Sequence, residues 1–469
     1  MSAGRVVGAI VLLVLAWAGC APQPIPYPPA LTREGELHVY LQPIPQEAHR
    51  LEFSISEIAA VREDGLAIPL LPDFTELKCR DLLDVQKRLA WSTLPPGSYQ
   101  GITLRIGRAS LIGEQGSNDL LVQEEPLRIA QEFRIIRRAS STLFLSLAAA
   151  RPDTGRYRFT PEFALAKPTR QLNSLLGFVT NSGSNLVTVF NKVTMQVVNT
   201  IATSSGPRGA AIDRRRGWVF VALAGDDAIE AIEVNTGEIL RRLQLNFGDR
   251  PVEMELSPDA DTLVSVNAGS NSASIIDARV LVERGRVALP SEPASVVVGP
   301  SSQRAWVLQP MSNALTAIDL SRAAITATVT LDDPPLRGAV GREGNTLYVV
   351  TRYSSDLLAI DATSLAVIDR IYVGSGAASV EVDLATGLIY VGRAAGGIAV
   401  VDPSTVATID RFRSRGNAAF LAIDEDQNSL FVVRPDNRTV EKLDIVSKRL
   451  KGAIEVGKEP YAVVLMGGR

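Results

Sequence analysis

Residues 177–191 read GFVTNSGSNLVTVFN, and residues 347–363 repeat the pattern as LYVVTRYSSDLLAIDAT. Seven such segments follow one another along residues 175–469. Their first apolar anchors lie 42, 44, 42, 42, 42 and 41 residues apart: Phe178, Phe220, Val264, Trp306, Tyr348, Tyr390 and Phe431. A period near 42 residues, with short β-rich segments and turn residues between them, is typical of propeller blades. The repeat therefore predicts a seven-bladed β-propeller.

Each repeat contains four strand-like segments, and the segment before each anchor is predicted to be the innermost strand of its blade. In the fourth repeat the segments are 295–298, 304–308, 314–319 and 324–330. The first anchor, Phe178, has no such segment before it. The last strand-like segment, 461–466, must therefore complete the first blade. Closing the ring in this way removes exposed sheet edges.

The quoted repeats closely resemble the YVTN-type repeat of surface-layer and lactonase-like propellers. This resemblance covers about 295 residues, 175–469. It implies the fold and no particular activity, because propellers carry many unrelated functions.

A polar residue recurs 12 or 13 positions after each anchor, directly before a turn. These residues are Asn191, Glu233, Asp277, Asp319, Asp361, Asp402 and Asp444. Asp and Asn in such turns accept hydrogen bonds from the backbone two residues on. We therefore predict that they shape turns and do not form a ring of ligands. The anchors themselves are predicted to pack between blades.

Residues 35–168 predict a separate antiparallel β-sandwich, because alternating stretches such as residues 51–56 (LEFSIS) are joined by turn signals. The phrases GELHVYLQPIP, LPPGSYQGITLRI and FRIIRRASSTLFLSLAAA resemble DUF4382, a bacterial domain family of unknown function. The family is associated with a prealbumin-like or Ig-like sandwich, and the resemblance implies no known activity. Residues 166–174 are predicted to link the two domains.

Residues 1–20 predict a targeting segment, because Arg5 precedes a short apolar stretch that ends WAGC at Cys20. This resembles the bacterial lipoprotein signal, in which small residues precede a lipid-modified Cys, although Trp17 replaces the usual Leu. The resemblance implies a membrane anchor on Cys20 and, with Ala21 in place of Asp, the outer membrane. A secretory signal cut nearby or an uncleaved anchor are the alternatives. Residues 21–34 carry five prolines and predict a semi-rigid stalk.

Charged residues interrupt the predicted inner strands, which should line a central channel. At one channel-facing position of the innermost strands, the residue is apolar in every repeat except those with Glu255 and Glu381. At a second such position, two residues earlier, the charged residues are Glu253 and Arg337. These four side chains are candidates to contact water, an ion or a small ligand. The alternative is that they are solvated channel residues or internal ion pairs.

Three arginines recur at one rim of the predicted propeller: Arg352, Arg393 and Arg434. Arginine offers planar, bidentate recognition of carboxylate or phosphate. A basic arc for ligand or partner binding is therefore one hypothesis. A solvated rim, paired with the nearby Asp356 and Asp436, is the alternative.

Composition excludes several classes of function. The net charge is −3, with no long run of one sign, which argues against nucleic-acid binding. The two cysteines, Cys20 and Cys79, cannot form a disulfide framework. The two histidines, His38 and His49, precede the repeats, and no metal-binding, phosphate-loop or nucleophile-elbow motif occurs. We predict no catalytic residue, metal or cofactor.

These observations favour a monomeric envelope lipoprotein that acts as a non-enzymatic binding or scaffold module. Its partner would be a protein, the cell wall or a polysaccharide, reached through one propeller face. A lactonase-like hydrolase at the channel is the alternative, as is an accessory subunit of periplasmic redox or export machinery. Clustered acids with a metal would favour the hydrolase, whereas an apolar or aromatic patch would favour the other two.

Overall fold

A computed structural model of the chain describes residues 27–114, 116–149 and 158–467. The signal segment and Cys20 lie outside these residues. The described residues form β-strands, turns and one-turn 3₁₀ helices at Gln46–Ala48, Cys79–Leu82, Asn173–Leu175, Pro310–Ser312, Glu425–Gln427 and Pro435–Asn437. No helix in this part of the chain is long and apolar enough to cross a bilayer. The predicted all-β fold is confirmed.

The N-terminal unit consists of two sheets. Its strands are β1 Gly35–Leu41, β2 Leu51–Arg62, β3 Ala67–Pro69, β4 Leu71–Pro72, β5 Glu76–Lys78, β6 Lys87–Leu94, β7 Gly97–Gly113, β8 Gly116–Leu120, β9 Leu127–Ile135, β10 Ser140–Ala149 and β11 Glu162–Ala166. One sheet has the order β11-β10-β1-β6-β4. The other has the order β3-β2-β7-β8, with β5 also paired to β2 and β9 to β7. Alternate residues of both sheets point inward and form one apolar core.

One strand pair of this unit differs from the predicted antiparallel arrangement. β1 and β10 pair in parallel, with Leu37 opposite Ser141 and Leu41 opposite Leu145. The long segment between β1 and β10 allows these strands to pair in either direction, whereas two strands joined by a tight hairpin can pair only antiparallel. The sequence alternation that predicted both strands is the same for either direction.

The rest of the chain folds into four-stranded sheets arranged in a ring. From the innermost strand a to the outermost strand d, the first sheet consists of β39 Pro460–Leu465, β12 Leu176–Asn181, β13 Leu186–Asn191 and β14 Gln196–Ala202. In the same order, the second sheet consists of β15 Pro207–Asp213, β16 Trp218–Leu223, β17 Ala228–Glu233 and β18 Ile239–Gln244, and the third of β19 Pro251–Leu256, β20 Thr262–Asn267, β21 Ser272–Asp277 and β22 Val282–Ala288. The fourth sheet consists of β23 Ser295–Val298, β24 Arg304–Gln309, β25 Ala314–Asp319 and β26 Ala324–Thr330, and the fifth of β27 Pro335–Val340, β28 Thr346–Thr351, β29 Asp356–Asp361 and β30 Val367–Tyr372. The sixth sheet consists of β31 Ala377–Val382, β32 Ile389–Arg393, β33 Ile398–Asp402 and β34 Ala407–Phe412, and the seventh of β35 Phe420–Asp424, β36 Ser429–Arg434, β37 Thr439–Asp444 and β38 Leu450–Glu455.

The last strand closes the ring as predicted. β39 pairs antiparallel with β12, placing Val464 opposite Phe178. Each strand a also contacts strand a of the next sheet, and β39 contacts both β35 and β15. The innermost strands therefore surround a central channel.

The repeated residues have the predicted structural roles. All seven anchors are buried, which places them in the apolar layers between sheets. Asp361 accepts hydrogen bonds from the backbone N–H groups of Thr363 and Ser364, at 3.1 and 2.7 Å. These bonds, led by the one from Ser364, lower the pKa of the Asp361 carboxyl. Asn191 and Asp319 accept equivalent bonds, so this column forms turns.

Strand directions give the ring two faces. The upper face consists of the b–c loops, residues 182–185, 224–227, 268–271, 310–313, 352–355, 394–397 and 435–438, and of the loops from each strand d to the next strand a. Those d–a loops are residues 203–206, 245–250, 289–294, 331–334, 373–376, 413–419 and 456–459. The a–b and c–d turns form the lower face. Each strand a therefore begins at the upper face.

The N-terminal unit docks on the outer edge of the first sheet. Gln86 donates to the carbonyl of Val197 at 3.0 Å and accepts from its N–H at 2.7 Å. The backbone N–H of Thr200 donates to the hydroxyl of Thr142, 3.0 Å away. The side chain of Gln86 therefore satisfies backbone groups on the otherwise unpaired edge of β14.

Candidate functional site at the channel mouth

The channel contains a cavity of about 280 Å³ between the innermost strands. Its charged lining residues are the four channel candidates of the sequence: Glu253, Glu255, Arg337 and Glu381. They line the cavity because side chains two residues apart on a strand face the same side. Glu253 and Arg337 occur early in their strands and are nearer the upper face than Glu255 and Glu381.

Glu253 and Arg337 form an ion pair near the channel mouth. Nη1 of Arg337 donates to Oε2 of Glu253 at 2.7 Å, and the hydroxyl of Tyr461 donates to the same oxygen at 3.3 Å. The guanidinium carbon of Arg337 also lies 4.8 Å from the ring centroid of Phe420 and 5.3 Å from that of Tyr461. These cation–π contacts fix the arginine between two aromatic rings. The internal ion pair, one of the two alternatives for these residues, is therefore present.

Arg208 extends this network toward the N-terminal segment. Its guanidinium carbon lies 4.4 Å from the ring centroid of Tyr461. Its Nη1 donates to the hydroxyl of Tyr27 at 3.3 Å. The sequence analysis missed Arg208 and Tyr461. Each stands one position before a predicted channel-facing residue of its innermost strand. A basic and an aromatic residue at those positions were the sequence feature that could have identified them.

Glu255 and Glu381 are partly buried deeper in the channel. Burial raises the pKa of Glu255 to about 8, and the charges of Glu381 and Glu253 add to the rise. The N–H of Val298 opposes it by donating to Oε2 of Glu255 at 3.0 Å. Burial likewise raises the pKa of Glu381 to about 8, partly offset by Arg214. A proton or a bound cation therefore stabilises this pair of carboxylates.

The three rim arginines occupy different environments. Arg352 is exposed and Arg393 is partly buried, but Arg434 is fully buried. Nε of Arg434 donates to Oε2 of Glu441 at 2.6 Å, and Nη1 donates to the carbonyl of Gly416 at 2.7 Å. A surface arc that includes Arg434 is therefore wrong, and its carboxylate partner is Glu441 instead of Asp436. Arg393 and Arg434 end strand b, three residues after their anchors, whereas Arg352 begins the b–c loop, four residues after its anchor. Of the two strand-end arginines, Arg434 has an acid, Glu441, facing it from strand c.

The N-terminal segment lies on the upper face beside the channel mouth. Nδ2 of Asn185 donates to the carbonyls of Pro28 and Pro29, at 2.8 and 3.2 Å. The hydroxyl of Ser205 donates to the carbonyl of Pro28 at 3.1 Å. Gly206 lies so close to Tyr27 that an added Cβ would come within 2.8 Å of the Tyr27 ring. The described part of the predicted stalk is thus bound to the propeller and is not a free spacer.

Titratable residues elsewhere do not extend the site. His38 is buried in the N-terminal unit, 3.2 Å from Oε2 of Glu36, and His49 contacts the carbonyl of Gln46. Across residues 27–114, 116–149 and 158–467, no three His, Cys, Asp or Glu side chains form a group that could hold a metal ion.

A ring of four-stranded sheets around a charged channel defines the class of β-propeller proteins. The chain belongs to the YNCE-like beta-propeller family, which it matches over residues 164–467. No curated protein matches the sequence.

Two solved structures resemble the chain. One is a functionally unknown protein from Desulfotomaculum acetoxidans DSM 771, which aligns with a TM-score of 0.57 and 11% identity over 63% of this chain and 100% of its own. The other is the dihydro-heme d1 dehydrogenase NirN in complex with DHE, with a TM-score of 0.49 and 12% identity over 64% of this chain and 77% of its own. At this level of identity the first similarity shows the fold alone.

Proposed function

We propose that the chain is a bacterial envelope lipoprotein, anchored through Cys20, that binds a partner through the upper face of its propeller. The proposal rests mainly on the channel mouth. There, Glu253, Arg337 and Tyr461 form a fixed polar rim above the carboxylates of Glu255 and Glu381. A rim held by ion-pair and cation–π contacts is preorganised, which lowers the entropy cost of binding.

The chemistry of the channel favours a ligand group with positive charge. Glu255 and Glu381 lose hydration in the channel, so they gain most from a proton or a nearby cation. A cavity of about 280 Å³ accommodates a single protruding group, such as an amine of an envelope protein, cell-wall peptide or polysaccharide. The partner is therefore proposed to insert such a group from the upper face.

Capture from native envelopes tests this function. Tagged full-length protein is compared with a Glu255→Gln/Glu381→Gln variant, which keeps the shape of both side chains but removes their ability to ionise when a cationic group binds. We expect the variant to retain its fold and capture the partner at least about tenfold more weakly, since a charged contact contributes roughly 1.5–3 kcal/mol. Glu343→Gln, which changes an exposed carboxylate, is the matched control. Equal capture by all three proteins would contradict a role for the channel in binding.

The raised pKa values of Glu255 and Glu381 favour a second candidate, a hydrolase at the channel. A carboxyl with a pKa near the working pH is suited to general acid–base catalysis. Purified full-length protein should then hydrolyse simple lactones, with or without Ca²⁺ or Mg²⁺, and Glu255→Gln should abolish turnover. We expect no turnover, because these described channel residues include no nucleophile hydrogen-bonded to a base.

A further inference from the structure

We propose that the upper face of the propeller lies against the surface of a lipid bilayer, so that the channel opens toward the membrane. This inference rests on the proposed anchoring through Cys20, adds an orientation to it, and limits the proposed partner to a component of the same membrane, such as an envelope protein. It depends on three features of the described residues: where the N-terminal segment docks, which apolar side chains the upper face exposes, and where its charges lie.

The docking of the N-terminal segment limits the distance between the upper face and the anchor. Tyr27 is held on this face through Arg208, and Pro28 is held through Asn185 and Ser205. Tyr27 follows Cys20 by seven positions in the sequence. An extended chain spans at most about 3.6 Å per residue, which gives about 25 Å. A bilayer that holds acyl chains on Cys20 is therefore within about 25 Å of the upper face.

The upper face exposes large apolar side chains at its loop tips. Phe247 is fully exposed, and Met311 and Tyr353 are 75% and 72% exposed. They lie on three different loops of this face. Aromatic side chains at such positions favour the interface between lipid headgroups and acyl chains.

The lower face differs in the chemistry of its exposed apolar groups. Within the described residues, its exposed large hydrophobic side chains are aliphatic: Val193, Val280, Leu384, Val406 and Val446. Aliphatic turn residues lack the amphipathic ring that anchors Tyr at a membrane interface. The two faces are therefore chemically distinct.

The exposed arginines of the upper face are confined to one part of the ring. Arg352, Arg413, Arg415 and Arg438 lie in loops of the fifth to seventh sheets or between these sheets. Within the described residues the same loops expose one acid, Asp436, so they carry net positive charge. Basic side chains at a bilayer surface attract anionic headgroups, so this side of the upper face leads a tilted contact.

Depth-dependent quenching tests the orientation. Full-length, acylated protein is reconstituted in phosphatidylethanolamine–phosphatidylglycerol vesicles after Tyr353→Cys or Val446→Cys, each labelled with a fluorophore. Cys79 is buried, and the proposal places an acyl group on Cys20, so the new thiol takes the label. We expect brominated lipids to quench the label at residue 353 at least about threefold more than the label at residue 446. Equal quenching, or stronger quenching at residue 446, would overturn the orientation.

Two further measurements separate failure of the orientation from failure of the anchoring. Vesicle flotation reports the anchor alone, and Cys20→Ser should abolish it. Flotation that fails in the unmodified protein overturns both proposals. Intact flotation without quenching at residue 353 overturns only the orientation and would indicate that a protein covers the face. A Tyr27→Ala/Asn185→Ala variant should still float, but its label at residue 353 should be quenched less, because the segment no longer holds the face near the bilayer.

Discussion

The first and second sheets of the ring follow the same sequence repeat but differ in what covers them. Strand d of the first sheet, β14, is largely buried, and Val197 and Thr200 are inaccessible. Strand d of the second sheet, β18, is exposed along most of its length, including Ile239 and Leu240. The difference comes from the N-terminal unit, which covers the first edge, contacts β38 of the neighbouring seventh sheet and leaves β18 exposed. A ring of similar sheets thus has one side to which the N-terminal unit is attached.

The same asymmetry occurs on the upper face. The b–c loop of the first sheet holds the N-terminal segment through Asn185, whereas the equivalent loop of the fifth sheet presents Arg352 and Tyr353 to solvent. The repeat pattern therefore specifies where a residue lies within a sheet but not what contacts it. The following predictions probe that distinction, from the largest expected effect to the smallest.

Removing residues 459–469 should have the largest effect, because it deletes β39 from the first sheet. The edge of β12 would be left unpaired, and the contacts of β39 with β35 and β15 would be lost. We expect the cooperative thermal transition to disappear and the protein to aggregate. Adding a peptide of residues 458–469 in trans should partly restore solubility by replacing the strand. Unchanged melting of the truncated protein would contradict ring closure by β39.

Arg434→Ala should be strongly destabilising, whereas Arg352→Ala, one position later in its repeat, should not. Truncating Arg434 leaves Glu441 without its ion-pair partner and the Gly416 carbonyl without its donor. We expect the free energy of unfolding to fall by about 3 kcal/mol. Arg352→Ala should change it by less than about 0.5 kcal/mol, because the side chain is exposed. Denaturant titration of both variants measures the contrast, and similar effects would refute it.

Gln86→Ala should weaken the attachment of the N-terminal unit to β14. The change leaves both the N–H and the carbonyl of Val197 without partners at a buried edge, at a cost of about 1–3 kcal/mol. We expect faster amide hydrogen exchange at Val197 and separate thermal transitions for the two units. Arg241→Ala on the exposed strand β18 is the control and should change neither.

The pH dependence of stability should report the channel carboxylates and should be the smallest effect. A glutamate in the unfolded chain has a pKa near 4.3, whereas Glu255 and Glu381 reach about 8 in the fold. Between these values the folded state binds more protons at these two groups, so their contribution to stability is fully present below about pH 4.3 and is lost as the pH rises through 8.

Replacing both channel glutamates with Gln should remove this loss of stability. We expect the melting temperature of the double variant to exceed that of the unmodified protein at pH 9 and to match it near pH 4.3. Glu343→Gln, an exposed change, should leave the pH profile unaltered. If the melting temperatures of all three proteins change with pH in parallel, the channel does not raise the pKa values of Glu255 and Glu381.

Most of the fold could be predicted because it is encoded locally. The 42-residue period, the buried anchors and the turn acids each depend on residues within one repeat. Even the closing strand followed from the absence of a segment before Phe178. The channel candidates were predictable for the same reason, since alternation along a strand places Glu253 and Glu255 on one side.

The features that the sequence did not reveal depend on contacts between distant segments. The parallel pairing of β1 with β10 and the docking of Tyr27 beside Arg208 join residues far apart in the chain. Arg434 ends β36 and meets Glu441 of the neighbouring strand, whereas Arg352 lies one position later in its repeat, in the exposed b–c loop. Such contacts depend on which surfaces meet after folding, and a repeat pattern carries no information about that.

The pairing of β39 with β12 also sets the order of events during synthesis. Gly177 lies opposite Leu465, so the first residues of the ring wait for nearly the last before their sheet is complete. Contacts of such long sequence separation form slowly, and domains fold from the N-terminus as the chain emerges. The N-terminal unit can cover the edge of β14 early, but the inner edge of β12 stays unpaired until β39 has been made. A growing chain therefore exposes the inner edge of β12 to edge-to-edge association until β39 pairs with it.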